Sequence, residues 1–341
     1  MILPSLANKG PILVVKELVD QLTIHGYRCS VYYFDEIIEI QMKCETFKST
    51  LWGRIPFEKY DIVHSHGMRP DMYVFFHRPL NTKTKFITTL HNYVIKDFGY
   101  QYNKITAYTV GNLWMLLLRR HDIVVTLSKD AMVYYSFWFK KSKLRYAYNT
   151  RDISIADDIE DGEKNKILAF KLNSILIGVN SLLTRRKGID MLIKALVQLP
   201  QCKLYIIGNG YSRKELYNLA LKYGVIHRCK FLGYKKDAYR YLSFYDIYAI
   251  PSRSEGFPLS ILEAAIFKCP VVCSNISIFK EAFTENEVSF FELENIESLV
   301  QAIIQAIDNK KMGELLYQKY INMYSPKKMF QQYMDIYNIY G

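Results

Sequence analysis

The chain has 341 residues, half of them hydrophobic and 23% charged, enough to bury real cores in about two domains of ~150 residues each. Its formal charge of +12 divides into +4 over residues 1–165 and +8 over 166–341, scattered rather than blocked. Such a balance favours an anionic partner, whether nucleotide, phosphosugar, nucleic acid or lipid headgroup, and does not choose among them.

From the amino terminus, "MILPSLANKG" has no basic n-region or long apolar run, so no signal peptide is expected. "PILVVKELVDQLTIHG" (11–26) predicts a helix with Pro11 at its first position and Gly26 as its stop. "CSVYYF" (29–34), "DIVHSH" (61–66), "KFITTLH" (85–91) and "DIVVTLS" (122–128) predict strands, each ending in polar residues. The most apolar stretch, "LWMLLL" (113–118), is far too short to span a bilayer and ends in Arg119-Arg120. A peripheral membrane contact stays open, and 28 tyrosines suit a sugar-facing or interfacial surface. Residues 151–165, "RDISIADDIEDGEKN", lose the apolar period and turn acidic, which marks a linker.

The pattern then restarts. "SILIGVN" (174–180), "CKLYIIG" (202–208), "CKFLGY" (229–234), "DIYAIPS" (246–252) and "PVVCS" (270–274) predict strands, with helices near 188–199, 212–223 and 259–268. A last helix runs from Pro326 to Tyr340, with aromatics at 330, 333, 337 and 340. Short β-branched runs alternating with amphipathic helices indicate two successive parallel α/β units, without an internal repeat. Open parallel sheets bind ligands beyond the carboxyl ends of their strands. Two such domains facing each other would make a cleft, and the chemistry is expected there. Six cysteines form no CxxC pair and have no histidine at zinc spacing, so they read as reduced, mostly core thiols of a cytosolic protein.

"SEGFPLSILEA" (254–264) is a loop feeding a helix. Pro258 has no N–H to waste at a helix start, and Leu259, Ile261 and Leu262 supply a buried side. Free first-turn N–H groups and the helix dipole suit an anion. Glu263, on the exposed side, could accept two ribose hydroxyls, and Glu255 could reach a sugar attached to the phosphate. Taken alone, Glu255 could equally be loop surface and Glu263 a solvated helix position.

The wider context, "DIYAIPSRSEGFPLSILEAAIFKCPVVCSN" (246–275), resembles the donor-binding signature of retaining glycosyltransferases of family 4, the large group with a GT-B fold. Pro-Ser, Glu-Gly-Phe, a second Glu after seven residues, Glu-Ala and Pro-Val-Val all occur in order. "RRKGIDMLIKAL" (185–196), "LYIIGNGYSRKELYNLA" (204–220), "DIVHSHG", "TTLHN" and "KGPILVVKELVDQL" look like further family segments. The resemblance implies two Rossmann-like domains, 1–160 for the acceptor and 166–325 for the nucleotide-sugar donor, with helix 326–341 packing back onto the first. It implies that Lys187 would neutralise the donor diphosphate and that Glu263 would hold the ribose; Arg185 or Arg186, of which Arg186 is the choice, would stand in for the phosphate-pairing arginine that the family carries and this chain lacks. Glu255, with the backbone of Gly256, Phe257 and Leu259, would hold the transferred sugar. His91 would sit at the sugar's reacting face, His66 near the cleft, and Gly10 would let backbone approach the donor or acceptor closely. His25, His77, His121 and His227 read as structural or surface residues.

Departures from the family pattern fall at three places. Its usual Gly-Arg is Asn180-Ser181, its first glycine pair is reduced to Lys9-Gly10, and its Asn-Gly turn is Asn149-Thr150. "ILPSL" looks like the end of the family's first strand with only Met1 before it, so a start several residues late is expected.

By this resemblance the chain would transfer a hexosyl or related group from a nucleotide sugar, with retention, to a saccharide or lipid-linked saccharide acceptor in cell-surface polysaccharide synthesis. It would work in the cytoplasm, peripheral to the inner membrane face. No Asp-x-Asp lies at a strand end, so no metal or other cofactor is expected. The competing readings are a nucleotide-sugar epimerase on the same architecture and a glycosyltransferase-like partner subunit without activity. Nucleic-acid binding fits worse, because no element carries a basic stripe with interleaved aromatics.

Overall fold

The structure is a computed structural model that describes residues 1–155, 159–309 and 311–338. The chain divides into two compact units. One comprises Met1–Asp152, Glu255–Leu259 and Tyr324–Gly341, the other Ile153–Ser254 and Ser260–Met323. Relative to the expected domains 1–160 and 166–325, the second unit starts earlier and the Glu255 loop is grouped with the first.

The first unit is built on a parallel sheet of seven strands: β1 Ile2–Leu6, β2 Ser30–Ile38, β3 Glu45–Lys48, β4 Ile62–His66, β5 Lys85–Leu90, β6 Ile123–Thr126 and β7 Leu144–Tyr146. Its order is β3-β2-β1-β4-β5-β6-β7. The strand order reverses between β1 and β4, where an open α/β sheet leaves a crevice beyond its carboxyl ends. β1 is central and five residues long, and pairs with β4 only at Ile2↔Ser65. The helix Gly10–Ile24 buries Val14, Leu18 and Leu22 against Ile87 and Val125 of the sheet and against Met329, Tyr333 and Ile336. Those last three lie on the helix Pro326–Asn338. The predicted extension of that helix to Tyr340 lies outside the described residues.

The second unit carries a six-stranded parallel sheet: β8 Ile175–Asn180, β9 Cys202–Ile207, β10 Cys229–Gly233, β11 Ile247–Ile250, β12 Val271–Ser274 and β13 Ser289–Phe291. Its order is β10-β9-β8-β11-β12-β13, so the reversal falls between β8 and β11. Ile177, Val179, Leu204, Ile206, Ile247 and Val272 are buried in one core with Leu192, Leu299 and Ile303 from flanking helices. Within the expected linker, Ala156, Asp157 and Asp158 lie outside the described residues. The helix Asp161–Lys171 that follows belongs to the second unit. It buries Ile167, pairs Lys171 with Asp246 at 2.7 Å, and bonds Glu163 to Lys235 and Tyr241. That docking explains why this unit begins upstream of residue 166.

Three strands escape the sequence pattern. β3, β7 and β13 have four, three and three residues and lie at sheet edges, too short for alternation to register. All six cysteines are free, four of them buried.

A polar knot under the first sheet matters for stability. Asp71, 0% exposed on the helix Met68–His77, accepts hydrogen bonds from Ser65 Oγ (2.6 Å), Thr88 Oγ1 (2.7 Å) and Trp114 Nε1 (2.8 Å). Burial pushes its carboxyl up to about 7, against the pull of those three bonds. Asp71→Ala removes the acceptor of Thr88 Oγ1 and Trp114 Nε1, while Ser65 Oγ keeps Ile87 O and His121 Nε2 within reach, and is expected to cost about 2–5 kcal/mol. Urea unfolding measures it, and a loss below about 1 kcal/mol would contradict the network's role.

Candidate active site

In the first unit, β4 and β5 deliver their last residues side by side, with His66 paired to Thr89 across the sheet. Because side chains alternate along a strand, His64 and His66 share one face while Ser65 faces the Asp71 knot. His64 is fixed at both nitrogens, Nδ1 to Tyr337 Oη (2.9 Å) and Nε2 to Thr89 Oγ1 (2.8 Å). Its ring centroid lies 4.2 Å from that of His66. His66 Nδ1 in turn lies 3.0 Å from Nε2 of His91, the residue after β5. The two histidines singled out in the sequence are therefore directly bonded. His64, which anchors the row, was overlooked; its position two residues before His66 on a strand was the available signal.

The main chain of His91 is equally constrained. A Cβ placed on Gly256 would overlap the His91 carbonyl oxygen, so only glycine permits this approach of the 255–259 loop. Glu255 is 5% exposed, which rules out a loop-surface position. Phe257 is buried between Tyr148 and Tyr324, at centroid distances of 5.6 and 5.2 Å, and its carbonyl accepts from Asn149 Nδ2 at 3.0 Å. Phe257 thus acts as an anchor for the loop, with its side chain and carbonyl already engaged. Asn149 and Thr150, where the family pattern has Asn-Gly, fix this region: Thr150 Oγ1 donates to Tyr324 O at 2.6 Å. Leu259 packs on the core that holds Val14 and Leu18. At Gly10 a Cβ would meet Leu259 Cδ1 at 3.9 Å, an ordinary contact, so the fold itself does not demand glycine there.

In the second unit, a tight turn, Arg185–Lys187, follows β8. Gly188 closes it at φ +68°, and a Cβ there would overlap Pro251 O. The turn is tied to the segment after β11: Arg186 donates to Ser254 O (2.6 Å), and Arg253 N donates to Arg186 O (2.8 Å). Arg253, not singled out in the sequence, is saturated by Asp190 (2.9 and 3.0 Å) and Glu294 (2.5 Å), and those hydrogen bonds raise its pKa further. It is a brace. Arg186 and Lys187 are half-buried cations held on this braced turn. Asn180, at a Gly-Arg position of the family, donates to Ala238 O (2.8 Å) and accepts from Tyr245 Oη (3.0 Å). Glu263 lies half-buried in the helix Leu259–Ile266, whose Ile261, Leu262, Ala264, Ala265 and Ile266 are buried. Among the described residues no group of three or more His, Cys, Asp or Glu could hold a metal ion.

Two doubly wound parallel sheets with this loop define the GT-B class of glycosyltransferase. HepE from Anabaena, solved in complex with UDP and glucose, superposes with a TM-score of 0.78 at 18% identity, covering 98% of each chain. Residues 160–323 match the model of glycosyl transferases group 1, and residues 44–154 that of Glycosyltransferase Family 4. The O-antigen biosynthesis glycosyltransferase WclY of Escherichia coli is 31% identical over 96% of this chain and 94% of its own. A second relative from Escherichia coli is the UDP-Gal:alpha-D-GlcNAc-diphosphoundecaprenol alpha-1,3-galactosyltransferase. It is 25% identical over 84% of this chain and 78% of its own. The chain belongs to the group 1 (family 4) glycosyltransferases.

Burial pushes His64 and His66 well below the usual histidine range, His91 to about 4 and His121 to about 3. All four are neutral at pH 7. An unfolded chain protonates them near pH 6.5, so their stabilising effect is complete above that pH and is lost progressively as pH falls through their lowered folded values. Asp71 works in the opposite sense, keeping one proton in the fold up to about 7. The net is up to three protons in favour of unfolding, a slope of up to about 4 kcal/mol per pH unit. Melting temperature is therefore expected to fall steeply between about pH 6.5 and pH 4.5, and less steeply in His64→Gln. An unchanged melting temperature across that window would contradict four buried neutral imidazoles.

Proposed function

We propose that this glycosyltransferase moves a sugar, with retention of anomeric configuration, from a nucleotide-sugar donor to a lipid-linked saccharide during cell-surface polysaccharide assembly. The observation that carries this function is the seat of Gly256 on the His91 carbonyl. It joins, inside the first unit, the two elements assigned to the transferred sugar. The names of WclY and the diphosphoundecaprenol-dependent galactosyltransferase support the pathway and the acceptor class. Action at the cytoplasmic face of the inner membrane follows from that acceptor. No helix of the described residues is long and apolar enough to cross a membrane, so contact would be peripheral.

Lys187 and Arg186 neutralise the departing diphosphate, aided by the first-turn amides after Pro258. Glu263 accepts from the ribose hydroxyls, and Glu255 from hydroxyls of the transferred sugar. His91, neutral at pH 7, hydrogen-bonds the sugar without adding charge beside an oxocarbenium-like centre. The groups named serve positioning and charge, which fits a front-face reaction assisted by the leaving phosphate and needing no metal. Gly10, at the start of the helix Gly10–Ile24, would border the donor or acceptor.

One observation favours a second reading, a partner subunit that binds donor without turnover. Asn180 spends its carboxamide inside the protein, and no guanidinium follows it at Ser181.

Thermal stabilisation by a panel of nucleotide sugars tests the site. A donor at about 100 times its Kd stabilises by about 2.7 kcal/mol. Glu263→Ala is expected to weaken that donor about tenfold or more, as befits hydrogen bonds to a charged group. A wild type that no donor stabilises, or a variant stabilised equally, would overturn the site. Stabilisation without acceptor-dependent release of nucleoside diphosphate would favour the partner subunit.

A further inference from the structure

His66 is 1% exposed, and among the described residues its Nε2 has no hydrogen-bond partner. Its Nδ1 faces His91 Nε2 at 3.0 Å, and one proton lies between them. If His91 donated that proton, neutral His66 would hold its own on the buried, unpartnered Nε2. If His66 Nδ1–H donates, its Nε2 buries only a lone pair. Orphaned buried N–H groups are the rarer defect, so the second arrangement is favoured. His64, fixed at both nitrogens and 4.2 Å away between ring centroids, backs the His66 ring and limits its swing.

We propose that His66 is a positioning residue whose Nδ1–H donates to His91 Nε2, so that His91 keeps its proton on Nδ1 and presents an N–H donor to its ligand. The ligand rests on the function proposed above, in which His91 meets the transferred sugar; a sugar hydroxyl is then held as an acceptor. The opposite tautomer would offer that hydroxyl a lone pair and demand its proton instead. His91 is in this way fixed twice, by the Gly256 approach at its carbonyl and by His66 at its ring.

Two variants separate donation from packing. His66→Asn can place an amide N–H near the Nδ1 position, whereas His66→Phe restores ring volume without a donor. Nitrogen-15 NMR of labelled histidines, with the His91 signal identified from His91→Gln, reads the tautomer directly and needs no substrate. The Nδ1–H form of His91 is expected in the wild type, retained in His66→Asn and lost or mixed in His66→Phe. In turnover, His66→Phe should lower kcat by about 10- to 100-fold with donor KM nearly unchanged, the scale of a misplaced catalytic contact. His66→Asn should recover most of that loss. An Nε2–H His91 in the wild type, or in His66→Phe an unaltered Nδ1–H form or undiminished kcat, overturns the proposal. Should the wild type transfer no sugar, the function above fails while the tautomer measurement still decides this one.

Discussion

A hydrogen in place of a Cβ at position 256 lets one backbone lie directly on another, at the carbonyl of His91. Much of the first unit is arranged around that approach. Asn149 holds the Phe257 carbonyl, Tyr148 and Tyr324 enclose the Phe257 ring, and Thr150 ties down Tyr324. The loop carrying Glu255 is thereby clamped by packing and hydrogen bonds on residues distant in sequence. Rigid support of this kind is what a positioning site needs, since small displacements of a contact group are costly in rate.

The two units supply different chemistry. The first offers polar groups held neutral: His64, His66 and His91 are kept uncharged by burial, and their nitrogens are largely spent on one another, on Tyr337 and on Thr89. The second offers fixed charge, with Arg186 and Lys187 on a turn that Gly188 and Arg253 brace. The transfer proposed above, with a leaving diphosphate and a cationic sugar centre, would call on both kinds of group. Arg253 shows that not every cation near such a turn is available: paired with two carboxylates, it holds the scaffold.

Much of this was legible beforehand. Central strands were readable because β-branched runs end in polar residues, and the donor loop because its motif is long and ordered. Edge strands β3, β7 and β13 were not, being too short for a period to emerge. The burial of Glu255 could not be read from local sequence, because its neighbours Gly256 and Phe257 are seated on His91 and Asn149, 165 and 108 positions away. Sequence separation likewise hid the roles of Asn149, whose partner Phe257 O lies 108 positions away, and of Arg253, whose partners Asp190 and Glu294 lie 63 and 41 positions away. Phe257, expected to meet the sugar through its backbone, gives its side chain and carbonyl to the clamp.

The central claim, sugar transfer with retention from a nucleotide sugar, is tested most directly by the anomeric configuration of the product. Using the donor that stabilises the chain and a lipid-linked saccharide acceptor, proton NMR of the new glycosidic linkage reads that configuration. The account predicts the same anomeric configuration as in the donor. An inverted linkage, from a purified enzyme that turns over, would contradict it.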